Sequence, residues 1–193
     1  MRLFVAVEIG EALAARAATL SRELQRRAEA AAPHARITWV PADRLHLTLR
    51  FIGEVDDMAA AAVGQALTPS VEVAPFDLTL CGAGTFPSRG APRVVWVGVT
   101  DGREGLLALE RAVTARLVPL GIPEEEREYR PHLTLARVRE PAGLRTAELI
   151  EGVAERRLGT VRVDAITLFQ SKLSPKGPSY TPLLRVPCES PSS

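Results

Sequence analysis

Histidine, cysteine and lysine are scarce in this chain, and each scarcity narrows what the chain can do. Two cysteines, Cys81 and Cys188, occur in 193 residues. They lack the close spacing of a redox pair or a zinc knuckle, and two thiols do not make a disulfide framework, so both are expected to be reduced and structural. Three histidines leave little room for a metal centre. Catalytic zinc usually takes about three protein ligands, and neither His46 nor His132 has a second histidine or a carboxylate two or four residues on. No metal and no cofactor is expected. His34, in "APHAR", reads as a solvated loop residue.

Long apolar runs are also missing. None approaches the roughly 20 residues that a membrane helix needs, and the opening "MRLFVAVEIGEALAARAA" is broken by Glu8 and Glu11, unlike a signal peptide. The expectation is a cytoplasmic protein with no membrane association. No glycine-rich loop of the Walker or dinucleotide type follows any strand-like run, so a nucleotide-cofactor fold has little support. Net charge is +1, which provides no global field for a long polyanion, where a general RNA binder would carry a strong basic patch. Lysine stands only at 172 and 176, so the positive charge is nearly all arginine. Phosphate recognition would have to be local.

What the chain does contain is ordinary for a folded protein. Hydrophobic residues make up 46% and charged residues 24%, and the length suits one domain or two small lobes sharing a core. "RLFVAVEI" reads as a buried strand. The helical spacing of "GEALAARAATLSRELQRRAEAA" runs up to Pro33, which cannot continue a helix. "ITWV", a turn at Pro41 and Ala42, and the strand "LHLTLRFIG" follow. A short helix is expected from about Asp56 to Leu67, capped by Asp56. "VEVAPFDLTLCGAGTF" and "RVVWVGVT" read as strands around the turn-rich "PSRGAP". Then the order restarts: a helix in "DGREGLLALERAVTARLVPLG", an acidic loop "PEEERE" and the strand "HLTLARV". A helix over Leu144 to Gly152 and closing strands in "RRLGTVRVDAITLFQSKL" and "YTPLLRV" complete the chain, with 187–193 expected to be a loose tail after a single domain over 1–186. Neighbouring strands with helices between them imply an α+β fold with largely antiparallel sheets.

The word His-Leu-Thr-Leu occurs twice, starting at His46 and at His132, 86 positions apart and in the same helix-strand-helix context. The pattern is that of a duplicated unit. Side chains alternate along a strand, so His46, Thr48 and Arg50 share one face, with Leu47, Leu49 and Phe51 on the other. His132 and Thr134 pair in the same way. A lone strand histidine is more often a hydrogen-bonded structural residue than a catalyst, and threonine favours strands anyway. A fold needing only that chemistry would accept valine or serine for threonine and isoleucine for leucine, yet both copies keep all four residues. Repetition makes the functional reading the better one.

Two imidazoles titrating near pH 6.5 can hold opposite protonation states around neutrality. Displacement at phosphorus wants its attacking and leaving oxygens roughly in line, and two histidines across a cleft supply the base at one end and the acid at the other. The threonines can then bind the non-bridging oxygens. Symmetry leaves open which histidine is the acid.

"HLTLRFIGE" at 46–54, "RPHLTLAR" at 130–137 and "LFQSKLSPKGPSYTPL" at 168–184 resemble the 2H phosphoesterase superfamily, and more closely its bacterial and archaeal RNA 2',3'-cyclic phosphodiesterase branch, also called 2'-5' RNA ligase. The resemblance spans nearly the whole chain. It implies a bilobal fold, two pseudo-symmetric lobes with antiparallel sheets facing across a central cleft. It further implies metal-independent hydrolysis of RNA 2',3'-cyclic phosphate termini to 2'-phosphate, with 2'-5' ligation as the reverse. His46 would be the general acid on the ribose O3' and His132 the general base for water, with Thr48 and Thr134 binding phosphate. Phe51 would stack on the terminal base and Arg137 would contact phosphate. Both stand five places after their histidines, so either strand must end, bend or bulge after the fourth residue for them to reach the site. Tyr180 and Arg93 are weaker candidates for the cleft, and Trp39 and Trp96 read as core residues. The expected partner is an RNA terminus, tRNA fragments among the candidates, met by a monomer. Other readings keep the fold and change the substrate to 2'-5' oligonucleotides, a cyclic mononucleotide or ADP-ribose 1'',2''-cyclic phosphate, or replace catalysis with an RNA-end binding module.

Overall fold

In the computed structural model, which describes residues 1–174 and 177–191, two antiparallel sheets share one hydrophobic core. The first sheet has the order β3-β1-β8-β9, built from β1 (Arg2–Glu8), β3 (His46–Glu54), β8 (Ala165–Ser174) and β9 (Gly177–Pro187). The second has the order β2-β6-β5-β4-β7, from β2 (Arg36–Trp39), β4 (Phe76–Phe86), β5 (Val94–Val99), β6 (His132–Glu140) and β7 (Arg157–Val163). Each repeated word therefore begins a strand, one in each sheet.

The helices lock the two halves together. Helix α1 (Gly10–Ala31) follows β1 of the first sheet but packs on β6 and β7 of the second. Its buried Leu13, Ala17, Leu20, Leu24 and Ala28 recur at three- and four-residue steps, which makes one apolar stripe. Helix α3 (Arg103–Leu117) mirrors this: it follows β5 of the second sheet and packs on β3 of the first. Helix α2 (Asp57–Leu67) packs against α3, and its cap is as expected, with Asp56 accepting the Ala59 backbone N–H at 2.8 Å. The short α4 (Thr146–Ile150) lies beside α1. Each sheet thus carries a helix that follows a strand of the other sheet.

Three local expectations are corrected. "VEV" at 71–73 is not part of a strand; Pro75 precedes β4, and Val71 makes only an isolated bridge to Cys188. The start of the supposed loose tail is tied down: Cys188 is buried and donates its N–H to the Asp164 carbonyl, and Glu189 donates to Val71 and accepts from the Ser70 hydroxyl. The last two tail residues, Ser192 and Ser193, lie outside the described residues, as do Pro175 and Lys176 of the "SPKGPSY" motif. Trp96 is not in the core, as shown below. Both cysteines are free thiols, and His34 is exposed in a turn after α1.

Candidate active site

The site is set by a register shift that occurs twice. Along β3, Thr48 pairs with Ala6 and Arg50 with Val5, so Leu49 has no cross-strand partner. Along β6, Thr134 pairs with Trp96 and Ala136 with Val95, so Leu135 is the extra residue. A bulge at the fourth residue of each word turns the following side chains over. Strict alternation put Arg50 with the histidine and Phe51 behind it; the bulge reverses both. Arg50 and Ala136 enter the core at 2% and 0% exposure, while Phe51 and Arg137 return to the histidine face.

That face lines a cleft of about 490 Å³ whose walls include His46, Thr48, Phe51, Thr134, Arg137 and Tyr180. His132 stands on the same face of β6, two residues before Thr134, and the Arg137 charge acts on both imidazoles. Strands β3 and β6 thus approach from different sheets and bring both words together. Arg93 does not join them. It is exposed, and its guanidinium donates to the Arg139 carbonyl.

The two imidazoles are held alike. His46 Nδ1 lies 2.8 Å from the Arg44 carbonyl and His132 Nδ1 lies 2.6 Å from the Arg130 carbonyl. A carbonyl only accepts, so Nδ1 carries the proton in both, and Nε2 remains for chemistry. Burial depresses both pKa values below the ordinary 6.5; the carbonyl hydrogen bond opposes this, and the Arg137 charge adds to it. The resting site therefore favours two neutral histidines.

Their surroundings differ. His46 sits in an aromatic nest: Phe4 at 4.9 Å between ring centroids, Tyr180 edge-on at 5.2 Å and Phe169 at 6.2 Å. His132 meets the edge of Phe86 at 5.1 Å, and Phe86 rests against Trp96. Trp96 lies opposite Thr134, on the cleft side, because Gly84 offers no Cβ where the indole ring covers it. It backs Phe86, which meets the second histidine, whereas Trp39 packs against the core as expected. Sequence reasoning missed Phe4, Phe86, Phe169, Arg2 and Arg44. Strand β1 reads as uniformly apolar between Arg2 and Glu8, and nothing in "RLFVAVE" distinguishes the cleft-facing Phe4 from its core-facing neighbours.

Among the described residues, no three histidine, cysteine, aspartate or glutamate side chains gather as a metal-ligand set. The cleft instead offers imidazole, hydroxyl and guanidinium groups, and among the described residues no carboxylate lines its walls. That combination suits an anionic, phosphate-bearing ligand.

Comparisons with known proteins agree with this geometry. The sequence profile of the 2'-5' RNA ligase superfamily matches residues 9–174. An RNA 2',3'-cyclic phosphodiesterase of Aeropyrum pernix is 39% identical over 145 residues, covering 75% of this chain and 82% of its own. One from Methanothermobacter thermautotrophicus is 32% identical over 183 residues, covering 94% and 95%. Among solved structures, the protein TT0787 of Thermus thermophilus superposes with a TM-score of 0.71 at 32% identity over 98% of this chain and 99% of that one. Escherichia coli LigT complexed with ATP gives 0.70 at 26% identity over 97% of each. Its fold, its paired histidine strands and these relatives together place the chain in the 2'-5' RNA ligase superfamily of 2H phosphoesterases.

Proposed function

We propose that this protein opens the 2',3'-cyclic phosphate at an RNA end to a 2'-phosphate, without a metal. The observation that carries the reading is the matched pair of imidazoles, each fixed through Nδ1 to a carbonyl two residues back, on strands from different sheets. His132 Nε2 takes a proton from water as its oxygen bonds to phosphorus. The P–O3' bond breaks on the far side, and His46 Nε2–H gives its proton to the departing O3'. The Thr48 and Thr134 hydroxyls and the Arg137 guanidinium bind the non-bridging oxygens, where charge builds in the transition state. The acid must be protonated, and its surroundings oppose this until an anion arrives; a bound phosphate raises both histidine pKa values and so helps charge His46. Phe51, 52% exposed at the cleft, gives the terminal base a surface to stack on. A 5'-hydroxyl attacking in place of water would leave a 2'-5' linkage.

The test is incubation with a short RNA ending in a 2',3'-cyclic phosphate, in EDTA, with the product's phosphate located. A 2'-phosphate is expected. A 3'-phosphate would reverse the leaving group, and RNA left unchanged would refute the reading.

A further inference from the structure

We propose that the same cleft holds a second phosphate on Arg2 and Arg44: the diester joining the terminal nucleotide to the rest of its strand. The inference rests on the reading above and deepens it by assigning two residues to the strand beyond the terminal nucleotide.

The argument begins with charge. A cyclic phosphate carries one negative charge, and Arg137 already matches it. Yet Arg2 and Arg44 line the same cleft, and among the described residues no carboxylate does. Among the described residues seven of the chain's 22 arginines make an ion pair, Arg27 and Arg156 sharing Glu23; what sets Arg2, Arg44 and Arg137 apart is that they line one cleft together. Among the described residues, Arg2, Arg44 and Arg137 have no ion pair, although Arg2 has Glu54 as its cross-strand neighbour. In a chain of net charge +1, three unpaired cations around one cleft are a local field that attracts anions.

Placement supports the same conclusion. Arg2 stands on β1 opposite Ser171 of β8, and Arg44 Nη1 lies beside Gly177 at the start of β9, where a Cβ would approach it to 3.4 Å. The Tyr180 phenol lies within reach of all three charges: burial raises its pKa, and Arg137, Arg44 and Arg2 each oppose that rise. The same cleft presents exposed Phe51 and Leu173, apolar surface of the kind a base covers. A cyclic mononucleotide would satisfy one cation of three. A strand end brings a second anion one ribose away, within a space of ordinary ligand size.

Turnover of three substrates decides the matter: adenosine 2',3'-cyclic phosphate, its 5'-phosphorylated form, and the dinucleotide ApA ending in a cyclic phosphate. The 5'-phosphorylated and dinucleotide substrates are expected to exceed the nucleoside in kcat/KM by at least about tenfold, the effect of one charge-assisted contact. Rising salt should shrink that advantage. Arg2→Gln and Arg44→Gln should each lower the ratio, and the double variant should bring it close to one. Equal turnover of all three by the natural protein would overturn the proposal while leaving the hydrolytic reading intact. A gain for the dinucleotide alone would assign the preference to its extra base, and a ratio unchanged in the double variant would clear both arginines; either overturns it. If none is turned over, the hydrolytic reading fails, and calorimetric binding of the same three ligands then reads the same ratio.

Discussion

Arg50 offers a sharp test of how the site is held. It is 2% exposed, one guanidinium nitrogen lies 3.7 Å from Glu125, and another donates to the Pro123 carbonyl. Its Nε has no hydrogen-bond partner among the described residues. Arg50→Ala removes the buried cation, leaves the Pro123 carbonyl unpaired and opens a void. The void and the unpaired carbonyl together cost about 3–5 kcal/mol, a fall in Tm on the order of 10 °C for a chain of this size. Arg50→Met keeps most of the volume and removes the need to desolvate a charge, so its cost is about 1–2 kcal/mol. Glu125→Gln should cost less than about 1 kcal/mol, because that carboxylate is half exposed and solvent screens it. Thermal melts order the three variants. Turnover gives an independent reading: Pro123 starts the loop that runs to Pro131 and His132, so the Met variant should lose about tenfold in kcat through misplacement of the second histidine. An Ala variant melting within about 3 °C of the natural protein, or a Met variant less stable than the Ala one, would refute the reasoning.

His46→Ala and His132→Ala should each lower kcat by at least about a hundredfold with melting little changed; near-natural turnover in either would end the two-histidine scheme. The pH dependence follows from the depressed histidine pKa values. The base must be neutral and the acid charged, so both limbs of the kcat/KM profile should lie below the ordinary histidine value of 6.5. Arg137→Gln removes a cation that lowers both, so both limbs should move to higher pH; an unmoved or acid-shifted profile would refute that influence. The same sign governs stability. Each imidazole binds its proton less readily folded than unfolded, so the unfolded chain holds more protons between the two pKa values. Stability should therefore rise with pH up to about 6.5 and level off, as far as these two groups contribute, which denaturant melts across pH 5–8 would check.

How much of this was legible beforehand differs by residue. The paired His-Leu-Thr-Leu words, the helix over 10–31, the Asp56 cap and the α+β class follow from local chemistry: apolar periodicity, a capping carboxylate, and a word repeated in one context. That each strand must end, bend or bulge after its word also followed once the resemblance put Phe51 and Arg137 in the site, because five is odd and strands alternate. What local chemistry could not tell is which residue is bulged and what the reversal does to its neighbours. Arg50 and Ala136 hold equivalent places in the two words, but only packing puts one against a loop carbonyl and the other into an apolar core. Trp96 read as core because indoles usually are; the bare backbone of Gly84, paired across two strands, lets it lie on the cleft side instead. Arg2 and Arg44 look in sequence like any other arginines of a chain rich in them. Their meaning is a matter of what surrounds them, and the sheet register and the exchange of helices between lobes decide that. Sequence by itself determined the chemical groups and their doubling, because those are properties of residues and spacing. Tertiary structure alone decided which charges were left unpaired and which faces met, because both depend on contacts between segments far apart in the chain.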